Sequence, residues 1–325
     1  MMGSTIDKFS IKFRFKLLIL FAVLLTGMYA GYQLYEKGDK LGCFQLAEDV
    51  VPVSISAFRA DRLQLIAIGD TGTGNKDQKL VAAGMAKVCE QMGCDLILLL
   101  GDNIYPDGVQ SIHDQQFYSK FEHIYSKIDK PFYAVLGNHD VKQDALSQVL
   151  YTLISDKWRM PNYEYIIKTD VADLYALNTN CPLSFASFED KLSQNKTESS
   201  TKPWVIAFAH HSIYSNGTHG DTNILTRLYW ELFLEEKVDL YLAGHNHNLA
   251  HFKYDNSGTD HIISGAGGNH YRSDSEQEKL KGSSASNLFT HNDTGFVWLE
   301  INKNKLHLSF HDSTGNTLYE HTKSR

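Results

Sequence analysis

Five apolar runs in this chain end in a small residue followed directly by metal-seeking side chains: GDTG from Gly69, GDNIY from Gly101, GNHD from Gly137, AHH from Ala209 and GHNH from Gly244. Such a series has a use only if the ends of several strands lie side by side, which points to a sheet architecture whose strand ends share one edge. Asp, Asp with Tyr, Asn with His, His, and His-x-His at those ends are most simply read as assembling two adjacent metal ions.

The remaining pattern agrees with such a frame. Strand-like runs at 63–68, 96–100 and 132–136 alternate with helical patterns at 76–91 and 114–125, the rhythm of parallel strands and crossover helices. Further strands are predicted at 163–167, 173–177, 204–209, 238–242, 261–264, 296–301 and 306–311, with one strong helical pattern at 223–236. The expected fold class is α/β: a four-layer αββα sandwich of two mixed sheets packed face to face, with helices outside and the motifs at strand C-termini. The polar stretches 193–202 and 273–286 read as surface loops. A chain of 325 residues with 42% hydrophobic content can bury one core of this size.

The N-terminus has a different character. Lys8, Lys12, Arg14 and Lys16 precede an uncharged apolar run, 17–35, about long enough to cross a bilayer. This predicts a basic cytoplasmic N-terminus at 1–16, a signal-anchor helix or signal peptide at 17–35, a linker at 36–60 and a catalytic domain at 61–325. The domain is then extracytoplasmic, whether secreted, periplasmic or lumenal, with the membrane as a partner through the N-terminal segment. Met28-Tyr29-Ala30 before Gly31 is a mediocre cleavage site, which favours a retained anchor. Cys43, Cys89, Cys94 and Cys181 have no metal-binding spacing. In an oxidising compartment they can form up to two disulfides, and a Cys89–Cys94 bridge requires the helix to stop at Gly93; four small buried thiols are the alternative. A net charge of −7 without long basic blocks excludes a nucleic-acid surface. It leaves room for small phosphorylated substrates, because bound metals supply the missing positive charge.

Within the motifs, Asp70 emerges where a buried strand ends, and Gly72 allows a tight turn after it. Asp102 follows a second such strand and has two oxygens with which to bridge two cations. Tyr105 sits three residues further on, within reach of the same ion. In GNHD, adjacent side chains diverge: Asn138 can offer its amide oxygen to a divalent ion, His139 can face the substrate as an acid, and Asp140 can orient that histidine from behind. Of His210 and His211, one points inward from an extended end and the other is outer-sphere or solvent-facing. The period-two spacing of His245 and His247 puts both imidazoles on one face of an extended segment. His251 and His270 are candidates for the rim.

These blocks, with GDNIYPDGVQ from Gly101, GHNHN from Gly244 and SGAGG from Ser264, resemble those of the calcineurin-like metallophosphoesterases, in particular the purple acid phosphatases of the small, mammalian tartrate-resistant type. The resemblance covers roughly residue 63 to the C-terminus. It implies one ferric ion held by Asp70, Tyr105 and His247, a divalent iron, zinc or manganese held by Asn138, His210 and His245, and Asp102 bridging the two. His139 and His219 resemble the family's outer-sphere histidines that contact phosphate and donate protons. The implied activity is hydrolysis of phosphate monoesters in acid by a hydroxide bound at the metals, with phosphopeptides among the candidate substrates. Val141 and His211-Ser212 depart from the mammalian pattern, and the segment 181–202 looks short and polar beside the family's loop and helix. Two alternatives are a manganese- or zinc-dependent phosphodiesterase or phosphoprotein phosphatase, in which Tyr105 is a bystander, and a membrane-anchored binding module without catalysis. GDNIY and the complete donor set argue against them.

Overall fold

Strands β2 (Arg62–Ile68), β3 (Leu96–Leu99), β4 (Phe132–Ala134) and β5 (Trp158–Arg159) lie parallel and in sequence order. The computed structural model describes residues 43, 53–54, 61–181, 184–194, 203–254, 257–270 and 279–325. On the other side of β2 an antiparallel meander of β13 (Gly295–Asn302), β14 (Lys305–Asp312) and β15 (Thr317–Ser324) completes a seven-stranded mixed sheet.

A second, eight-stranded mixed sheet contains β1 (Val53–Ser54), β6 (Tyr165–Lys168), β7 (Ala172–Ala176), β8 (Trp204–Phe208), β9 (Leu240–Ala243), β10 (Leu249–Lys253), β11 (Asp260–Ser264) and β12 (Ser286–His291). Its order is β1-β6-β7-β8-β9-β11-β10-β12, with β7, β8 and β9 parallel. One face of this sheet packs on the first sheet. Ile206 and Phe208 of β8, with Leu240 and Leu242 of β9, join the large buried cluster that also holds Leu63, Leu65 and Leu98. The alternate residues Ala207, Tyr241 and Ala243 belong to a second cluster on the outer face, the period-two pattern of strands buried on both sides.

Helices cover the outer faces. α1 (Lys76–Met92) starts where the Asn75 side chain accepts the Gln78 N–H, and lays Val81, Met85 and Val88 on the first sheet. α4 (Ser184–Gln194) buries Phe185 and Phe188, and α5 (Ile224–Phe233) buries Tyr229 and Trp230, in the outer cluster of the second sheet. This is the expected αββα sandwich.

Several local expectations need correction. The pattern at 114–125 yields only a one-turn helix, α2 (Gln115–Phe117), which widens into a π turn at Tyr118–Glu122. α3 (Ala145–Leu150), α4 and strands β5, β10, β12 and β15 lie outside the predicted elements. The expected loop at 193–202 loses its first residues to α4, and 195–202 lie outside the described residues. The expected loop at 273–286 ends in β12, an exposed strand that pairs with β10.

Cys43 is disulfide-bonded to Cys181, with Cα atoms 5.4 Å apart. Cys89 and Cys94 are free thiols, although α1 does end at Met92, where Gly93 takes φ 91°. The basic segment, the apolar run 17–35 and nearly all of 36–60 lie outside the described residues. Among the described residues no helix is long and apolar enough to cross a membrane.

The two sheets are stitched together at their strand ends. Gly69 N–H donates to Ser264 O at 2.7 Å and Ser264 Oγ donates to Ala67 O at 2.8 Å, while within the first sheet Asp70 N–H donates to Gly101 O at 3.0 Å.

Candidate metal centre

Each of the five loops leaves a parallel strand and turns at once, and three turns are strained. Asp70 (φ 56°), Asp102 (φ 52°) and His245 (φ 68°) are the non-glycine residues in the left-handed region among the described residues. A side chain there costs on the order of 1–2 kcal/mol and persists only where the surroundings demand it. All three are predicted metal donors, so the strain marks the site independently of the motifs.

The loops approach so closely that glycine is required. A Cβ on Gly72 would lie 2.1 Å from Asn103 O, and one on Gly137 would lie 2.1 Å from Asp102 Oδ1. Gly72 is therefore needed for the contact between loops, more than for a turn conformation. Gly137→Ala is expected to push the Asp102 carboxylate aside and lower bound metal well below wild type, as measured by elemental analysis. Gly282→Ala, where a Cβ would meet nothing within 4 Å, is the control that retains it.

The seven predicted donors come together as two groups. In the first, Tyr105 OH donates to Asp70 Oδ1 at 2.9 Å and lies 3.3 Å from His247 Nε2, which is itself 3.4 Å from Asp70 Oδ1. In the second, His210 Nε2 lies 3.0 Å from Asn138 Oδ1 and 3.2 Å from His245 Nδ1. Asp102 belongs to both: its Oδ1 is 3.5 Å from His210 Nε2, and donor atoms of Asp70, Asp102 and His210 lie within 4.8 Å of one another. Asp70 also accepts the His245 N–H through Oδ2 at 2.8 Å. Carboxylates, imidazoles, an amide and a phenol converging on each other's lone pairs form a donor set suited to two cations. The His210 Nδ1 bonds Leu100 O at 2.9 Å, which turns Nε2 toward Asn138 and Asp102, an orientation suited to a ligand.

Charge is balanced within the cluster. Burial works to raise the Asp70 carboxyl, but His247, His210 and Tyr105 hold it below its ordinary value. Burial opposes protonation of His210 and His247, yet the neighbouring aspartates raise both. Burial, followed by the surrounding histidines, depresses His245, and His211 is pushed down to about 3 by burial and then by His210. Burial and then Asp70 and Asp102 drive the Tyr105 phenol well above its usual range, so it ionises only with a strong cation beside it.

The outer-sphere candidates lie beside the donor groups. His139 lies against the Tyr105 ring, with centroids 4.6 Å apart, and its Nε2 is 3.9 Å from Asp102 Oδ2. His219 is exposed and stacks on His245 at 4.1 Å. Asp140 does not orient His139. It is fully buried and accepts the backbone N–H groups of Gly137 (2.8 Å), Asn103 (3.0 Å) and Ile104 (3.1 Å), with Gln148 Nε2 at 3.0 Å, and so ties the GDN loop to the GNHD loop. His139 is held at Nδ1, which lies 2.5 Å from Pro106 O and 2.9 Å from Lys142 Nζ. No motif singled out that lysine. His251 is buried beside Asp260 and Tyr319, away from any rim, and His270 lies 3.5 Å from Asp293.

His211 lies in the same cluster. β8 stops at Phe208, so strand alternation no longer separates residues 210 and 211, and both rings face His245, with centroids 5.0 and 4.6 Å away.

Comparison with known proteins agrees with the geometry. The calcineurin-like phosphoesterase family model matches residues 63–249, and that of the iron/zinc purple acid phosphatase-like protein C matches residues 258–321. Purple acid phosphatase 4 of Arabidopsis thaliana is 31% identical over 294 residues, 81% of this chain and 84% of the relative. Tartrate-resistant acid phosphatase type 5 of Oryctolagus cuniculus is 29% identical over 292 residues, 79% of this chain and 90% of the relative. Among solved structures, GAP50, the anchor in the inner membrane complex of Plasmodium, matches with a TM-score of 0.68 at 24% identity, covering 81% of this chain and 89% of that one. Purple acid phosphatase PPD1 from yellow lupin (Lupinus luteus) seeds matches with a TM-score of 0.63 at 17% identity, covering 82% and 54%. At those identities the two structures speak for the fold alone.

Proposed function

Because the chain belongs to the calcineurin-like phosphoesterases, and within them to the purple acid phosphatases, we propose that it hydrolyses phosphate monoesters in acid at a binuclear centre. Asp70, Tyr105 and His247 would hold a ferric ion, Asn138, His210 and His245 would hold a divalent ion, and Asp102 would serve both positions. The observation that carries this reading is the pair of donor groups sharing Asp102, with Tyr105 OH within 2.9 Å of Asp70 and 3.3 Å of His247. A bystander tyrosine, as a manganese or zinc phosphodiesterase would have, has no reason to sit among the donors.

When bound, the two cations supply positive charge for the phosphate oxygens and acidify water. The chain's own residues do the rest. Asp102 fixes the spacing of the two groups and, by accepting the His139 N–H at 2.9 Å, the position of the GNHD loop. His139 and His219 face the substrate from the Asp102 and His245 sides, and His219 passes a proton to the departing alcohol. Burial and then His247 lower its affinity for that proton, so the imidazolium formed in acid is a ready donor. His219→Ala is expected to slow turnover roughly 10²-fold for alkyl phosphates and less for p-nitrophenyl phosphate, with metal content unchanged. An equal loss for both leaving groups would count against proton donation.

Small phosphorylated molecules, phosphopeptides included, are the proposed substrates. We place the domain outside the cytoplasm, where the Cys43–Cys181 disulfide is stable, with residues 17–35 as its membrane tether. The reading is tested by comparing p-nitrophenyl phosphate with bis(p-nitrophenyl) phosphate over pH 4–8, a range that spans histidine titration. Monoester preference with an acid optimum is expected. Diester preference at neutral pH would favour the phosphodiesterase alternative.

A further inference from the structure

His211 follows directly after a donor and lies deep in the same cluster, yet the ligand set above gives it no task. Ring nitrogens of His210, His211 and His245 lie within 4.8 Å of one another. The residue is clamped on three sides: its N–H donates to Thr179 Oγ1 at 3.1 Å, its Nδ1 bonds the same hydroxyl at 2.8 Å, and its carbonyl accepts Tyr241 OH at 2.7 Å. His210 Nδ1 donates to the Leu100 carbonyl, which leaves its Nε2 lone pair free, and His211 gains the same free lone pair in the tautomer whose Nδ1–H donates to the Thr179 hydroxyl. The two consecutive imidazoles are thus each held at Nδ1 by an oxygen from a different loop.

We propose that His211 is a further nitrogen ligand of the divalent ion and that Thr179 is its positioning residue. This rests on the binuclear reading above and deepens it by naming the metal class. With His211 the divalent position has three imidazoles beside Asn138 and Asp102. Nitrogen-rich sets favour zinc or ferrous iron, whereas manganese prefers oxygen donors, so this protein selects zinc or ferrous iron over manganese.

The test is a titration of the iron-containing protein, stripped of its divalent ion, with Zn(II) and separately with Mn(II) against a competing chelator. His211→Ala is expected to weaken zinc binding roughly 10- to 100-fold, a loss of the size seen when metal-site residues are removed, and manganese binding far less. The visible band of the ferric group stays as the check that the fold and the other metal position are intact. Thr179→Val, which keeps the imidazole and removes its support, is expected to show a smaller loss in the same direction. Unchanged zinc affinity in His211→Ala with the band retained overturns the proposal. If His211→Ala loses the band, Thr179→Val decides: weakened zinc binding supports the assignment and unchanged binding overturns it. A wild-type protein that takes up only one ion overturns the binuclear reading itself, an outcome distinct from the failure of His211 alone.

Discussion

Asp102→Ala is expected to lose both metal ions and activity together, with turnover falling at least roughly 10³-fold, the scale for removing a group that organises charge at a reacting centre. Its carboxylate lies 3.5 Å from His210 on one side, clusters with Asp70 on the other, and accepts the His139 N–H that positions the substrate-facing imidazole. Among the described residues no other side chain has contacts in all three directions. Elemental analysis of the purified variant, with p-nitrophenyl phosphate turnover on the same sample, checks this. Two ions retained with activity lost would remove Asp102 from the bridging position and leave it a substrate-binding role.

Asp140→Ala is the second large effect, and it arises without contact with either metal group. The alanine leaves the N–H groups of Gly137, Asn103 and Ile104 buried and unpaired. At about 1–3 kcal/mol for each stranded group, the domain should lose at least roughly 3 kcal/mol of stability. Because those N–H groups belong to the loops bearing Asp102 and Asn138, the metals should leave at lower denaturant than the rest of the fold unfolds. Urea unfolding followed by circular dichroism, with metal release monitored in parallel, separates the two events. Asp140→Asn keeps some of these acceptor contacts and should fall between. A variant with wild-type stability and metal content would show that the loops hold each other without this carboxylate.

The grouping of the candidate donors was legible because Asp70, Asp102, Asn138, His210 and His245 each lie just past the end of a buried parallel strand, with Tyr105 and His247 further along two of the same loops. The same logic failed where its premise stopped. Strand alternation allows only one of His210 and His211 to point inward, but β8 ends at Phe208 and both rings lie beside His245, and the Asp140 carboxylate serves backbone N–H groups of Gly137, Asn103 and Ile104 rather than its neighbour His139. Thr179, Lys142 and Gln148 carry no motif, and only folding brings them to the site.

Elsewhere, short or edge elements escaped for a physical reason. β5 has two residues, and β12 and β15 are polar edge strands whose signal comes from pairing rather than burial. α4 shows only Phe185 and Phe188 as its buried stripe among polar neighbours, so its helix depends on packing against Trp230 and Tyr175. Cysteine pairing could not be read from spacing, because a sequence separation of 138 between Cys43 and Cys181 says nothing of their 5.4 Å Cα separation.

The visible absorption spectrum of protein purified from iron-replete cells, recorded beside Tyr105→Phe, tests the central claim most directly. The account predicts a purple band in the wild type, about two metal ions per chain, and loss of the band in Tyr105→Phe with the fold preserved. A colourless, iron-free wild type, or a purple band that survives Tyr105→Phe, would contradict it.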